Sequence, residues 1–254
     1  MITVACSSCG ATTRRLRPQT TAVLCMNCCS PPEHELREQV LKDTRRRLEL
    51  QLRAFDATGS YDDALLDMSA TTTAWQRKSV AAITEHQGRI ARGEPGRTGI
   101  LFTGPTGIGK THAAIAVCRR AMHFDPTGVR IVTESSLLQP GIPPWELHAH
   151  ICRTLDGVRT LLVDDVGTVA RPQDQVMSAW KLIADRIVAS PDPVLFIATT
   201  NLPDLARLSD WVGAQATSRI AAFVQVATTG WTDHRAGLEH PEWKANFHPR
   251  PAVR

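Results

Sequence analysis

Residues 104–111 read Gly-Pro-Thr-Gly-Ile-Gly-Lys-Thr, the pattern G-x4-G-K-T. This stretch narrows the fold more than any other, because it works only in one backbone setting. It must follow a buried strand and open a helix. The glycines then let successive N–H groups turn inward around a phosphate, and the helix N-terminus adds its partial positive charge. Residues 100–103 are a short apolar run, and the segment from Lys110 reads as a helix, so the setting is present. Gly104, Pro105, Thr106, Gly107, Ile108 and Gly109 then form the loop. Lys110 is placed to reach β- and γ-phosphates and Thr111 to ligate Mg²⁺, which points to ATP or a similar triphosphate.

The surrounding pattern agrees. Short apolar runs at 100–103, 129–133, 160–163, 194–198 and 222–226 alternate with helical segments, one of them carrying Val176, Met177, Trp180, Ile183 and Ile187. Continuous apolar strands alternating with helices predict a parallel sheet covered on both faces. Upstream, a helix is expected over 30–56, with Leu36, Val40, Leu48, Leu52 and Phe55 at helical spacing, and a second over 74–92. Thr58-Gly-Ser60 breaks the first, and 57–73 reads as a linker.

Two further strand ends carry chemistry. Leu161-Leu-Val-Asp164-Asp165 is an apolar strand ending in acids. Asp164 is suited to hold Mg²⁺ through its water shell and Asp165 to orient or activate an attacking water. Ala198-Thr-Thr-Asn201 ends the next strand. Asn201 could sit between these acids and a γ-phosphate, or it could cap the turn that holds Pro203.

At the other end of the chain, Cys6-Ser-Ser-Cys9 and Cys25-Met-Asn-Cys28 are two C-x2-C pairs separated by fifteen residues. Each pair points two thiolates at one place, and two pairs close a tetrahedron around Zn²⁺. A small β-hairpin is expected between the pairs, over 12–24, making a zinc ribbon whose folding energy comes from the metal. Cys29 could replace Cys28 as the fourth ligand. With four protein ligands no position stays open for catalysis. Cys118 and Cys152 read as small buried hydrophobes.

The absence of a transmembrane-length apolar run and of a basic-then-apolar leader favours a cytoplasmic protein with no membrane attachment, in which the seven cysteines are not expected to form structural disulfides. The net charge of +4 is uneven: residues 1–60 hold nine Lys/Arg against six Asp/Glu. That bias suits a nucleic-acid or acidic-protein partner, and the Arg45–Arg47 triplet is either part of it or a solvated helix face.

Taken together, LFTGPTGIGKTHAA, LLVDDVGT, ATTNLPDL and the region around Ser218-Arg219-Ile220 resemble the AAA+ ATPases, within them the DnaC/DnaI-type helicase loaders, over roughly residues 70–240. The resemblance implies a P-loop α/β fold and slow, partner-stimulated ATP hydrolysis with Mg²⁺. It implies Asn201 as sensor 1 and Arg219 as an arginine finger that completes the site of a neighbouring copy, hence a homo-oligomer. It also implies Arg235 as a sensor-2 equivalent. The family usually has Glu where Asp165 stands. The short stretch after residue 226 lacks a full lid, as in loaders and IstB-type ATPases. Loaders of the DnaI type carry an N-terminal zinc module, so the resemblance implies a replicative DNA helicase and single-stranded DNA as partners. An IstB-type transposition helper and an ATP-switched, non-hydrolysing adaptor are the alternatives. The expected organisation is a zinc ribbon over 1–31, a helix and linker over 32–73 that binds helicase, an ATPase domain over 74–239 and a flexible tail over 240–254.

Overall fold

The computed structural model describes residues 2–5, 12–15, 31–55, 64–67, 73–126, 128–230, 232–233 and 238–239. Its centre is a five-stranded, wholly parallel sheet built from β3 (Arg97–Thr103), β4 (Val129–Thr133), β5 (Thr160–Val166), β6 (Val194–Thr200) and β7 (Val224–Ala227), in the order β4-β5-β6-β3-β7. The expected parallel sheet with helices on both faces is therefore present. From β3 the chain passes to the far edge at β4 and works back through β5 and β6, so the C-terminal end of β3 lies at the point where the strand order reverses. Crevices at such points are where open α/β sheets bind ligands.

Side chains alternate along each strand between two cores, as the two-residue period requires. Leu101, Leu161, Val163, Phe196 and Ala198 pack on one face with helices α5 (Pro144–Leu155), α6 (Gln173–Ala189), α7 (Leu205–Val212) and α8 (Ala214–Ala221). Ile100, Phe102, Ile131, Leu162, Leu195 and Ile197 pack on the other. There they meet α2 (Ala74–Arg92) and α3 (Lys110–Met122). Trp180 and Phe102 are among the largest fully buried side chains, one in each core. Truncating either to Ala would cost about 3–5 kcal/mol.

The helix ends follow their sequence signals. Thr73 caps α2 in a capping box with Gln76, and Gly93 ends it in the left-handed conformation. The expected span of 74–92 is matched. The helix α1 (Pro31–Phe55) also matches expectation, but its apolar stripe divides. Leu48 and Leu52 are buried together with Ala64 and Leu66 in the core that α3 lines, while Leu36 and Val40 are exposed. Arg119 of α3 donates to the Ala64 carbonyl and pairs with Glu49. The second half of α1 and residues 64–67 thus pack on the sheet. Arg45, Arg46 and Arg47 are exposed, with Arg45 reaching the His123 carbonyl at 3.4 Å.

Two short strand pairs lie outside the sheet. β1 (Ile2–Ala5) pairs antiparallel with β2 (Thr12–Arg15). β2 falls within the region expected to form a hairpin, 12–24, and the rest of that region, 16–24, lies outside the described residues. β8 (Thr232–Asp233) pairs with β9 (Leu238–Glu239). Cys6, Cys9, Cys25, Cys28, Cys29, Arg235 and the expected tail over 240–254 lie outside the described residues.

Candidate functional site

The site forms at the C-terminal ends of β3, β5 and β6. The loop after β3 has the backbone its glycines allow: φ is 138° at Gly104, 87° at Gly107 and 86° at Gly109. A Cβ on Gly104 would fall 2.4 Å from Ile108 Cδ1, so the close approach of the two ends of the loop needs glycine there. No side chain caps the start of α3. A helix start without a side-chain cap is a setting in which anions bind.

Lys110, the first residue of α3, is buried at 6% exposure. Its Nζ donates to the Pro105 carbonyl at 2.7 Å and to Asn201 Oδ1 at 2.8 Å. Asn201 therefore faces the loop lysine, and the helix that follows, α7, is capped by Asp204, whose carboxylate accepts the Arg207 N–H. Thr229, beyond β7, donates from Oγ1 to the Ile108 carbonyl at 2.5 Å and so rests against the loop.

The acidic strand runs further than its apolar run suggested. β5 continues to Val166, with a break in register between Val163 and Val166 that contains both aspartates. Asp164 is buried. Its Oδ1 accepts from Thr111 Oγ1 at 3.1 Å and from Thr199 Oγ1 at 2.5 Å. Burial pushes the Asp164 carboxyl up to about 6, against the opposing pull of the Thr199 hydrogen bond; the neighbouring Asp165 charge adds to the rise. Asp165 is exposed and has a φ of 55°, a conformation uncommon for a residue with a side chain. Its N–H donates to Thr199 Oγ1 at 2.9 Å and its carbonyl accepts from Thr168 Oγ1 at 2.7 Å.

These residues fit a magnesium–triphosphate. The glycine loop and the uncapped helix start are a phosphate cradle, Lys110 supplies a cation, and the adjacent Thr111 hydroxyl and Asp164 carboxylate are hard oxygen donors. Among the described residues no group of three or more His, Cys, Asp and Glu could hold a metal on its own.

The structure brings together the loop 104–111, Asp164, Asp165 and Asn201. Arg219 stands apart on α8, where it forms an ion pair with Asp185 of α6. Cys118 is fully buried, and burial pushes its thiol up to about 12. Cys152 is only half-buried, with Sγ 3.9 Å from His148 Nδ1, because it lies on the outer flank of α5.

Sequence reasoning missed Thr199. The signal was available: β6 runs beside β5 with Ala198 opposite Val163, so the next residue falls beside Asp164. It also missed Glu134, for which only a buried acid at a strand–helix junction could have spoken.

No protein-family model matches the chain, and no curated protein does. Among solved structures the chain is similar to the DnaC helicase loader, at 19% identity over 66% of this chain and 97% of that one, with a TM-score of 0.43. It is similar to DnaI at 17% identity, over 63% and 87%, with a TM-score of 0.48. It is also similar to domain III of the Thermotoga maritima replication initiation protein DnaA, at 16% identity, over 65% and 66%, with a TM-score of 0.46. The loop between β3 and α3, on a parallel sheet covered by helices, makes this a P-loop α/β domain. No helix among the described residues is long and apolar enough to cross a membrane.

Proposed function

We propose that the chain is an AAA+ ATPase that binds Mg²⁺–ATP at residues 104–111, hydrolyses it, and loads a replicative DNA helicase onto single-stranded DNA. The observation that supports the ATPase reading is the convergence of Lys110 Nζ with Asn201 Oδ1 on one side and Thr111 with Asp164 on the other. Lys110 and the loop N–H groups hold phosphate oxygens, and Thr111 and Asp164 hold the metal. Bound magnesium neutralises charge on the triphosphate. Asp165 orients the attacking water, and its backbone is fixed on both sides, by Thr199 and Thr168. Asn201 shares in fixing the γ-phosphate end, and Arg219 serves the site of a neighbouring copy.

The loader reading is supported by the order of the sequence motifs and by the two C-x2-C pairs, which we assign to one Zn²⁺ in a module that grips the helicase. Native mass spectrometry of the chain with a hexameric replicative helicase tests it, with and without ATP and Mg²⁺. A defined complex retaining one zinc per chain is expected. A folded, ATP-binding chain that forms no such complex would reject the loader and favour the transposition helper or the adaptor. Absence of phosphate release even with DNA and partner would single out the adaptor.

A further inference from the structure

Glu134 opens α4 (Glu134–Leu138) directly after β4 and is 0% exposed. The helix does not need it as a cap, because Thr133 and Ser136 cap each other's backbone. Its carboxylate faces elsewhere. Oε2 accepts three successive backbone N–H groups, from Gly167 at 2.9 Å, Thr168 at 3.1 Å and Val169 at 3.2 Å. Oε1 accepts the indole N–H groups of Trp180, at 2.7 Å, and Trp211, at 2.9 Å. All five partners are donors, so both carboxylate oxygens serve as acceptors. Glutamine cannot replace it, since its NH₂ would meet either the indoles or the loop.

The position of this clasp gives it a meaning beyond packing. Residues 167–169 begin one residue beyond the Asp164–Asp165 pair. Thr168, held at its N–H by Glu134, reaches back through Oγ1 to the Asp165 carbonyl at 2.7 Å. Asp165 has a φ of 55° and Gly167 one of 103°. A non-glycine residue persists in such a conformation when its surroundings over-determine it. Thr199 holds the N–H side of Asp165, and the Glu134–Thr168 chain holds the carbonyl side.

We propose that Glu134 is a positioning residue for ATP hydrolysis: acting through Thr168, its buried carboxylate fixes the backbone that aims Asp165. The same carboxylate joins this loop to α7 through Trp211, whose carbonyl is held by Gln173 at the start of α6 at 2.6 Å. The inference rests on the ATPase reading above.

The test compares the full chain with Glu134→Gln and Thr168→Ala. Three quantities are measured: Mg²⁺–ATP affinity, single-turnover hydrolysis, and amide hydrogen exchange at residues 167–169. Both variants are expected to bind ATP within about twofold of the parent and to hydrolyse it at least about tenfold more slowly, as misplacement of a reacting group predicts. In Glu134→Gln the three loop amides should exchange at least about tenfold faster while those of β5 do not change. Thr168 is exposed, so Thr168→Ala decides the hydrolysis arm if Glu134→Gln does not fold. Hydrolysis within about twofold of the parent in Thr168→Ala would overturn the proposal, as would unchanged loop exchange in a folded Glu134→Gln. If the parent hydrolyses no ATP even with single-stranded DNA and a hexameric replicative helicase present, the ATPase reading fails. The exchange arm still decides whether Glu134 holds the loop.

Discussion

Lys110 Nζ lies 2.8 Å from Asn201 Oδ1, although the two residues are 91 positions apart in the chain. The sheet brings them together: β3 and β6 are parallel neighbours in register from Arg97↔Val194 to Thr103↔Thr200, so the loop after one strand faces the residue after the other. A cation and a neutral acceptor at the same point divide the work. In the proposed ATP site Lys110 would carry the charge that binding needs, and Asn201 would offer only a dipole.

Asn201→Ala should therefore leave Mg²⁺–ATP affinity within a few-fold and slow hydrolysis by about 10²-fold, the size of effect seen when one aligned polar group is removed. Lys110→Ala should abolish measurable binding. Titration calorimetry with single-turnover hydrolysis separates the two. Equal loss of affinity in both variants would place Asn201 in binding alone.

Thr199 makes a second prediction. Its hydroxyl donates to Asp164 Oδ1 and accepts from the Asp165 N–H. Thr199→Val keeps the shape and removes both bonds, leaving a buried carboxylate with one donor fewer, at a cost of about 1–3 kcal/mol. Because that bond holds the Asp164 carboxyl down against burial, its loss should raise the carboxyl further above about 6. Mg²⁺-dependent binding at neutral pH should weaken. Thr199→Ser should restore both stability and binding; a serine variant no better than valine would show that the methyl group, not the hydroxyl, matters.

How much of this was readable in advance follows from the range of each interaction. The loop 104–111 is local, and its glycines, lysine and threonine are legible as a string. The strands carry continuous apolar runs because both faces are buried, so the parallel sheet was legible too. Its edges were not: β5 runs on through Asp164 and Asp165 because a register break lets polar residues stay in the strand. The bonds of Thr199 to Asp164 and of Glu134 to Gly167, Thr168 and Val169 span some 33–35 residues. No local pattern encodes such contacts. The division of the α1 stripe at Leu48 has the same origin, since what covers Leu48 and Leu52 comes from the sheet core.

His86 predicts a pH dependence remote from the site. It is buried on α2, and burial, aided by the charge of Arg159, lowers its imidazole to about 4 from an ordinary value of 6.5. The folded protein thus holds it neutral while the unfolded chain protonates it below 6.5. Its contribution is fully present above 6.5 and is lost as pH falls toward 4, by about 3 kcal/mol in all. Denaturant unfolding of the parent should show this decline between pH 6.5 and 4. His86→Leu should flatten it, and an unchanged slope in that variant would place the acid sensitivity elsewhere.

Arg219 gives the last prediction. Within the chain it is paired with Asp185, at 41% side-chain exposure for each partner. An exposed pair of this kind contributes about 0–1 kcal/mol, so it is readily given up for a triphosphate. If Arg219 completes the site of a neighbouring copy, then Arg219→Ala alone and Lys110→Ala alone should both be inactive in hydrolysis, for different reasons. The first lacks a finger and keeps its nucleotide site, and the second lacks the site and keeps its finger. Mixed in equal amounts, the two should regain activity, because an Arg219→Ala site can then meet an intact arginine from a Lys110→Ala neighbour. Recovery should rise with total protein concentration and vanish on dilution. A mixture as inactive as its components, under conditions where the parent chain hydrolyses ATP and assembles, would mean that Arg219 serves its own subunit or none.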